Sequence, residues 1–584
     1  MNQKIFLITF FVAFTNMYSQ NFLPSCEMIF ETLVASSSDV GDYDNDGDLD
    51  IIIMGFNSGT NYTLVYNNDG TGNFTLSPIT FNDNYRNGQV EFIDYDNDND
   101  LDIFISGLVE SGTSKSRLYQ NNSNVFTEIP FAFADNIINN QFAWGDLDND
   151  GDLDLLLMGN SEGFNEYAYL YRNDGNNNFT EMSQSFLPLS QGSIVFADID
   201  NDGDNDIVTG GLNSPNFTSH LEIYENNGDF SFTFQTSLEG YFNGDLELRD
   251  FDGNGFIDVI KNGSTDTGDS TKMYLNTGSF IFNENTSIGL TSVGDFANIV
   301  SADYTGNGEL DFLVSGRLQP YTQLLFSTSI FENSGNLSLA ENTTTGILNN
   351  AFNAIEIGDF DNDHDTDIFV LESNVSNTYT NQSGIQNTIP NPPQNLSSSV
   401  TASDVVLNWS DSTDDESPAN QLTYNIYVGT ALGTTDVVSP MSNLNTGYRK
   451  VVSIGNSQYK GLAVLENLPN GTYYWAVQSI DNQYEGSLFS VEQTFTINNL
   501  SLDEFDNKIP VKYYPNPVDN RLNISSHQNI EKVTISSFTG QTVNTLLIDD
   551  LTSFYIDFTN FDSGIYFVSL FSSKGEDVIK VIKK

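Results

Sequence analysis

Basic residues are scarce in this chain of 584 residues: 20 Lys and Arg stand against 79 Asp and Glu, a formal net charge of −59. A surface this acidic repels phosphate backbones and anionic headgroups, which argues against nucleic acid and basic membrane docking as partners. Cysteine is nearly absent. The single Cys26 rules out an intramolecular disulfide framework and a cysteine zinc site. Histidine is limited to His220, His364 and His527, and no triad or His-rich metal site is apparent among them. Long apolar runs are also missing: after Ile5–Phe14 no stretch reaches the roughly 18 apolar residues of a membrane helix. That early run, with Lys4 before it and small Ser19 preceding Gln20, reads as an export signal over residues 1–19. Pro24 and the polar Asn16, Ser19, Gln20 and Asn21 disfavour the alternative, lipoprotein processing at Leu23-Pro24-Ser25-Cys26.

What is abundant is Gly (45), Phe (44) and Tyr (27), a balance that suits short strands joined by tight turns and predicts an all-β, multidomain chain. Asp-rich nonamers recur at steps of 52 to 56 residues. They supply Asp42, Asp44, Asp46, Asp48 and Asp50 in loop one, and Asp94, Asp96, Asp98, Asp100 and Asp102 in loop two. Loop three has Asp146, Asp148, Asp150, Asp152 and Asp154; loop four has Asp198, Asp200, Asp202, Asp204 and Asp206. Loop five has Asp250, Asp252, Asn254, Phe256 and Asp258, and loop six has Asp303, Thr305, Asn307, Glu309 and Asp311. Loop seven closes the series with Asp359, Asp361, Asp363, Asp365 and Asp367. A glycine thirteen residues after the first Asp, from Gly55 to Gly316, reads as the turn that ends a strand, and fails only at Glu372. An aromatic residue, any residue and then Asn also recur in phase, as at Tyr66/Asn68 and Tyr119/Asn121. Each unit therefore reads as four short strands, and seven units as a radial β-propeller. The Pro-rich 389–393 leaves the seventh unit no room for a fourth strand, which Met28–Leu33 is expected to supply.

Oxygen side chains at positions 1, 3, 5 and 9, with a carbonyl at position 7, form the hard-ligand environment that calcium prefers. Two like charges about 4 Å apart cost roughly 4 kcal/mol at an effective dielectric of 20, so five carboxylates in nine residues call for a cation. Position 6 is Gly in five loops and Asn99 or His364 in the others, residues that tolerate positive φ. The position-12 residues, from Ile53 to Lys261 and Val370, exclude an EF-hand, which needs Glu there. Up to one Ca2+ per unit is expected, bound most weakly by loops five and six, where Asn254, Thr305 and Asn307 replace Asp.

The repeats over residues 27–389 resemble FG-GAP/VCBS units, as in the seven-bladed propeller of integrin α chains. The resemblance implies side-chain ligands at positions 1, 3, 5 and 9, a carbonyl at 7, and ions that rigidify the blades. Residues 390–498, with Trp409 and the Tyr473/Trp475 strand as core candidates, look like a fibronectin type III sandwich acting as a spacer. A polar joint at 499–509 leads to residues 510–584, whose Tyr514-Pro515-Asn516-Pro517, Gly564-Ile565-Tyr566-Phe567-Val568 and Lys-rich end resemble the type A sorting domain of type IX secretion in Bacteroidetes, a small β-sandwich. The resemblance implies that the secretion machinery carries the protein across the outer membrane, to be released or attached at the surface. No catalytic constellation is apparent. The expected function is adhesion or ligand binding, to a glycan or a protein; the alternative is a polysaccharide-degrading lyase or glycosidase built on the same ring.

Overall fold

The computed structural model describes residues 22–25, 30–498 and 511–584, apart from 162, 229, 320–324, 351, 373, 385, 459–460, 539–540 and 573–574. The expected export signal, Cys26, Met28, Ile29 and the joint at 499–509 lie outside the described residues. Those residues contain strands and turns and no helix. Two compact units divide the chain, Met1–Asn498 and Asn499–Lys584.

Seven four-stranded antiparallel sheets follow one another through the first unit. Sheet one is Val34–Gly41, Asp50–Asn57, Thr60–Asn67 and Thr75–Leu76; sheet two is Tyr85–Ile93, Asp102–Val109, Ser114–Asn121 and Phe126–Glu128. The Asp loop joins the first strand to the second in every sheet, and position 9 is always the first residue of that second strand, from Asp50 to Asp367. The second strands are central and covered on both faces, so they read as continuous apolar runs: Ile51, Ile52, Ile53 and Met54 are all fully buried. Each such side chain contributes about 1.5–3 kcal/mol relative to exposure.

A separate apolar core lies between each sheet and the next. Ile52 and Val65 of sheet one meet Phe92 and Ile103 of sheet two; at the far end Ile51 and Tyr66 meet Phe360, Phe369 and Leu371 of sheet seven, with Phe30 and Leu33 between them. The first strands likewise abut in order, and that of sheet seven, Ala354–Gly358, lies against Val34–Gly41. Sheet seven takes its fourth strand from the start of the chain, but from Leu23–Pro24, paired with Thr380 and Tyr379, rather than from Met28–Leu33. Phe30 and Leu33 serve instead as core between sheets seven and one.

Of the glycines thirteen residues into a unit, Gly263 follows its strand as expected, but Gly55, Gly107, Gly159, Gly211 and Gly316 lie within theirs. Gly55 lies inside Asp50–Asn57, and a Cβ there would meet the Cβ atoms of Ser36 and Leu33 at 2.7 and 2.8 Å. Its use is the close crossing of the incoming chain.

Residues 390–498 form two three-stranded sheets: Gln394–Thr401, Asp404–Ser410 and Leu462–Leu465, and Thr423–Gly429, Gly471–Ile480 and Gln493–Ile497. They share a core of Val405, Trp409, Tyr424, Tyr473 and Trp475. A long segment, 430–461, connects Thr423–Gly429 of the second sheet to Leu462–Leu465 of the first.

The second unit is a five-stranded sheet whose 17-residue strand Arg521–Ser537 shifts register between Ser525 and Ile530. Its first half pairs with Val511–Tyr514 and its second with Gly564–Ser572, around Leu522, Ile535, Ile556 and Val568.

Candidate metal centres

The loops share one internal hydrogen-bond scheme. The position-1 carboxylate turns inward and accepts from backbone N–H groups at positions 5 and 6: Asp46 and Gly47 donate to Asp42, and Asp363 and His364 to Asp359. Position 5 accepts from the position-7 N–H, as in Asp100 to Asp98 and Asp152 to Asp150. Position 9 accepts the N–H of the Asn in the aromatic-x-Asn element: Asn121 to Asp102 at 2.6 Å and Asn173 to Asp154 at 2.9 Å. The tight path needs left-handed backbone at position 6 and equally at position 4, where Asn45, Asn97, Asn149, Asn201, Asn362, Gly253 and Gly306 all have positive φ. The sequence reading recognised the first requirement and missed the second.

This folding brings ligand oxygens of positions 1, 3 and 9 within 4.8 Å of one another, as Asp42, Asp44 and Asp50, Asp94, Asp96 and Asp102, Asp146, Asp148 and Asp154, and Asp198, Asp200 and Asp206. Loop seven also gathers Asp359 and His364 with Glu485 of the 390–498 module. At positions 1, 3 and 9 one oxygen each on Asp44, Asp50, Asp94, Asp96, Asp146, Asp148 and Asp361 is buried without a hydrogen-bond partner, as is one on Asp365 at position 7. An unpaired buried carboxylate oxygen is costly, and its position marks where a cation fits. Burial first, and neighbouring carboxylates after it, push Asp50 up to about 9 and Asp102 up to about 10.

Loops five and six differ. None of their positions leaves such an orphaned oxygen. Their position-5 amides point a donor where the other loops have an acceptor: Asn254 donates to the Asn276 carbonyl and Asn307 to that of Asn333, both at 2.9 Å.

The remaining loop side chains tie the sheets together. Position-4 Asn reaches the position-7 carboxylate of the next loop, Asn45 to Asp100, Asn97 to Asp152, Asn149 to Asp204 and Asn362 back to Asp48, whereas Asn201 donates to the Gly255 carbonyl of loop five and position 4 is Gly in loops five and six. The position-7 side chains of Asp48, Asp100, Asp152 and Asp204 are thus engaged away from the position 1, 3 and 9 centre. The Asn of the aromatic-x-Asn element bridges backwards: Asn121 donates to its own Leu101 carbonyl and to Tyr43 in loop one, and Asn68 to Phe360 in loop seven.

The 390–498 module is not held apart as a spacer but lies on the Asp loops. Asp42 donates its N–H to the Lys450 carbonyl, and the Lys450 ammonium bonds the Asn99 carbonyl. Burial pulls that ammonium down while Asp42 and Asp94 hold it up. Thr435 and Ser439 bond Asn97, Glu466 bonds Asn149, Gln458 bonds Asp198, and Asn420 bonds Gly253. Asn482 bonds Asp303 and Gly308, and His364 pairs with Glu485 at 3.5 Å. Residues of segment 430–461, among them Val438, Arg449 and Val451, also line a cavity of about 1090 Å3 bounded by the first strands. Of the other histidines, His220 bonds Thr218 and Glu222, and no nucleophile–base–acid set stands out among the described residues.

Residues 512–584 match the family model of the secretion system C-terminal sorting domain, and residues 42–105 and 158–209 match that of the FG-GAP-like repeat. No curated protein matches the chain. Solved structures similar to it include the central fibronectin-III array of RIM-binding protein, at 13% identity and a TM-score of 0.13 over 34% of this chain and 70% of that one. An α-L-rhamnosidase from Dictyoglumus thermophilum gives 15% identity and a TM-score of 0.14 over 33% of this chain and 29% of that one, and at these scores neither likeness carries an argument. No helix among the described residues is long and apolar enough to cross a membrane. The chain carries FG-GAP-like repeats and ends in a type IX secretion C-terminal sorting domain, which directs it to the cell surface or the secreted fraction.

Proposed function

We propose that the seven sheets are the blades of a closed β-propeller stabilised by calcium, and that the exported protein is an adhesion or ligand-binding module for a glycan or a protein. The observation that carries the metal reading is the set of buried, unpartnered carboxylate oxygens in the Asp loops, among them those at positions 1 and 3, all hard ligands. The side chains at 1, 3, 5 and 9 and the position-7 carbonyl would hold each ion. Closure is supported by the sheet-seven to sheet-one core and by Asn68 and Asn362. The two sheets of 390–498 support a fibronectin type III-like sandwich, here a cap on the loop face. With that face covered, the opposite end of the axis, where exposed Asn87, Asn243 and Phe296 surround the cavity, is the free ligand surface.

The polysaccharide-degrading alternative rests on one observation, the carboxyl groups of Asp39, Glu91 and Glu356 on the cavity wall. The full chain, applied with calcium to an array of bacterial, algal and plant glycans, tests both. A saturable hit identifies the ligand and the substrate on which turnover is assayed. A blank array from folded protein removes the glycan readings and leaves a protein ligand.

A further inference from the structure

The repeat has a second inward position that its loops do not need. Three residues before each first loop Asp, the first strand turns a side chain to the axis, and Asp39, Glu91, Ala143, Val195 and Glu356 line the cavity there. Ala and Val at this position show that a sheet folds without an acid. Yet sheets seven, one and two, which are adjacent, all carry one.

These three carboxyl groups face one another. Phe92 donates its N–H to Asp39 at 2.6 Å and Ser38 its hydroxyl to Glu356 at 2.8 Å, while no hydrogen bond to Glu91 occurs among the described residues. Burial raises all three, Asp39 to about 7 despite the backbone N–H groups it accepts from, and repulsion by Asp39 adds to the rise at Glu91 and Glu356. Glu247, the matching acid of sheet five, differs: Arg249 and Ser301 compensate it. The nearest arginine on the wall, Arg449 of segment 430–461, is tied to Pro440, Ser442 and Ser453. Above the acids the wall is amide-rich, with Gln89, Asn139, Gln191, Asn298 and Asn353, and the mouth carries Phe296, 54% exposed. The space far exceeds a metal ion. It suits an organic ligand with a cationic end, hydroxyl groups for the amides and a face for the aromatic ring.

We propose that the axial cavity binds the amine-bearing end of an amino-sugar glycan, its ammonium seated among Asp39, Glu91 and Glu356. This rests on the reading of the ring as a glycan-binding module and names the ligand class.

The test is calorimetric titration of the full chain in excess calcium at pH 7.5 with a glucosamine tetramer and with its N-acetylated twin, which has the same backbone without the charge. One tetramer should bind per chain, the acetylated form at least tenfold more weakly. Glu91→Gln should weaken the tetramer at least tenfold without lowering the melting temperature, whereas Asp69→Asn, on an exposed turn, should leave affinity unchanged. Equal affinity for both tetramers, no binding of the glucosamine form, or a folded Glu91→Gln chain that binds as the parent does would overturn the assignment. A neutral glycan captured on the array and indifferent to Glu91→Gln would leave the ligand-binding reading standing and remove this one.

Discussion

Calcium withdrawal should cost the first unit a calculable amount. Loops one to four and seven gather carboxylates without the self-satisfying amides of loops five and six, so five ions are expected to bind well. Calcium sites of extracellular modules have dissociation constants of about 10⁻⁴–10⁻³ M, so at about 10 mM calcium each is loaded about 10- to 100-fold over its constant. Binding to the native state alone then stabilises by roughly 1.4–2.7 kcal/mol per site, or about 7–14 kcal/mol for five. Unfolding entropy of about 2.1 cal/mol/K per residue gives roughly 1 kcal/mol/K for a unit this size, so the melting temperature should fall by about 7–14 °C in chelator. Scanning calorimetry of dialysed protein, with calcium and with EGTA, measures it. Asp96→Asn in loop two should remove about a fifth of the shift, and Asp252→Asn in loop five much less. A chelator effect under about 2 °C, two or fewer calcium ions per chain by metal analysis, or equal effects of the two substitutions would refute the reasoning.

Three further outcomes are expected from the geometry. Asn121→Ala strands the Tyr43 and Leu101 carbonyls and should destabilise by about 2–4 kcal/mol in urea titration, with Asn82→Ala, at an exposed site, near neutral. Lys261, fully buried, is pulled down to about 8 by burial against Glu239; the unfolded chain keeps that proton to about 10.5, binds more protons in the window between, and so stability should rise by up to roughly 3 kcal/mol from pH 8 to 10.5. Lys261→Met should abolish that rise, and an unchanged pH slope would show the lysine to be solvated. Gly308→Ala places a Cβ 1.8 Å from the Glu416 carbonyl at φ +87°, and should loosen the module from loop six, seen as faster hydrogen exchange around Asn482.

Periodicity carried much of the fold. The in-phase Asp loops, each ending on the first residue of a second strand, were legible because the repeat forces the same backbone seven times. Local chemistry was legible too: replacement of Asp by Asn254 and Asn307 pointed to the loops that satisfy themselves. What escaped depends on contacts far apart in sequence. The glycines at thirteen were read as turns because their reason, an incoming chain 2.7 Å from a notional Cβ, lies nineteen or so residues upstream. Leu23–Pro24 is too short to carry a strand pattern, and its partner is over 350 residues away. Asn at position 4 was lost among the many Asn residues, although its left-handed backbone follows the same logic as position 6. The inward acids at Asp39, Glu91 and Glu356 occur in only part of the series, so no period reveals them.

The cap was illegible for a related reason, and its placement changes what the loops do. In the proposed reading a cation would engage the carboxylates of a loop, while the module bonds the backbone around them: the Asp42 N–H, the Asn99 carbonyl, the Asp303 N–H and the Gly308 carbonyl. The same loop could serve both because these backbone groups are not the proposed side-chain ligands. An ion that fixed loop one or two would therefore also fix the surface that Lys450, Thr435 and Ser439 bond. Loops five and six hold their shape through Asn254 and Asn307, so Asn420 and Asn482 rest on backbone that needs no ion. On the proposed metal reading the module would thus be seated on one side by loops that hold themselves and on the other by calcium, and the part of the cavity wall it supplies would depend on the metal.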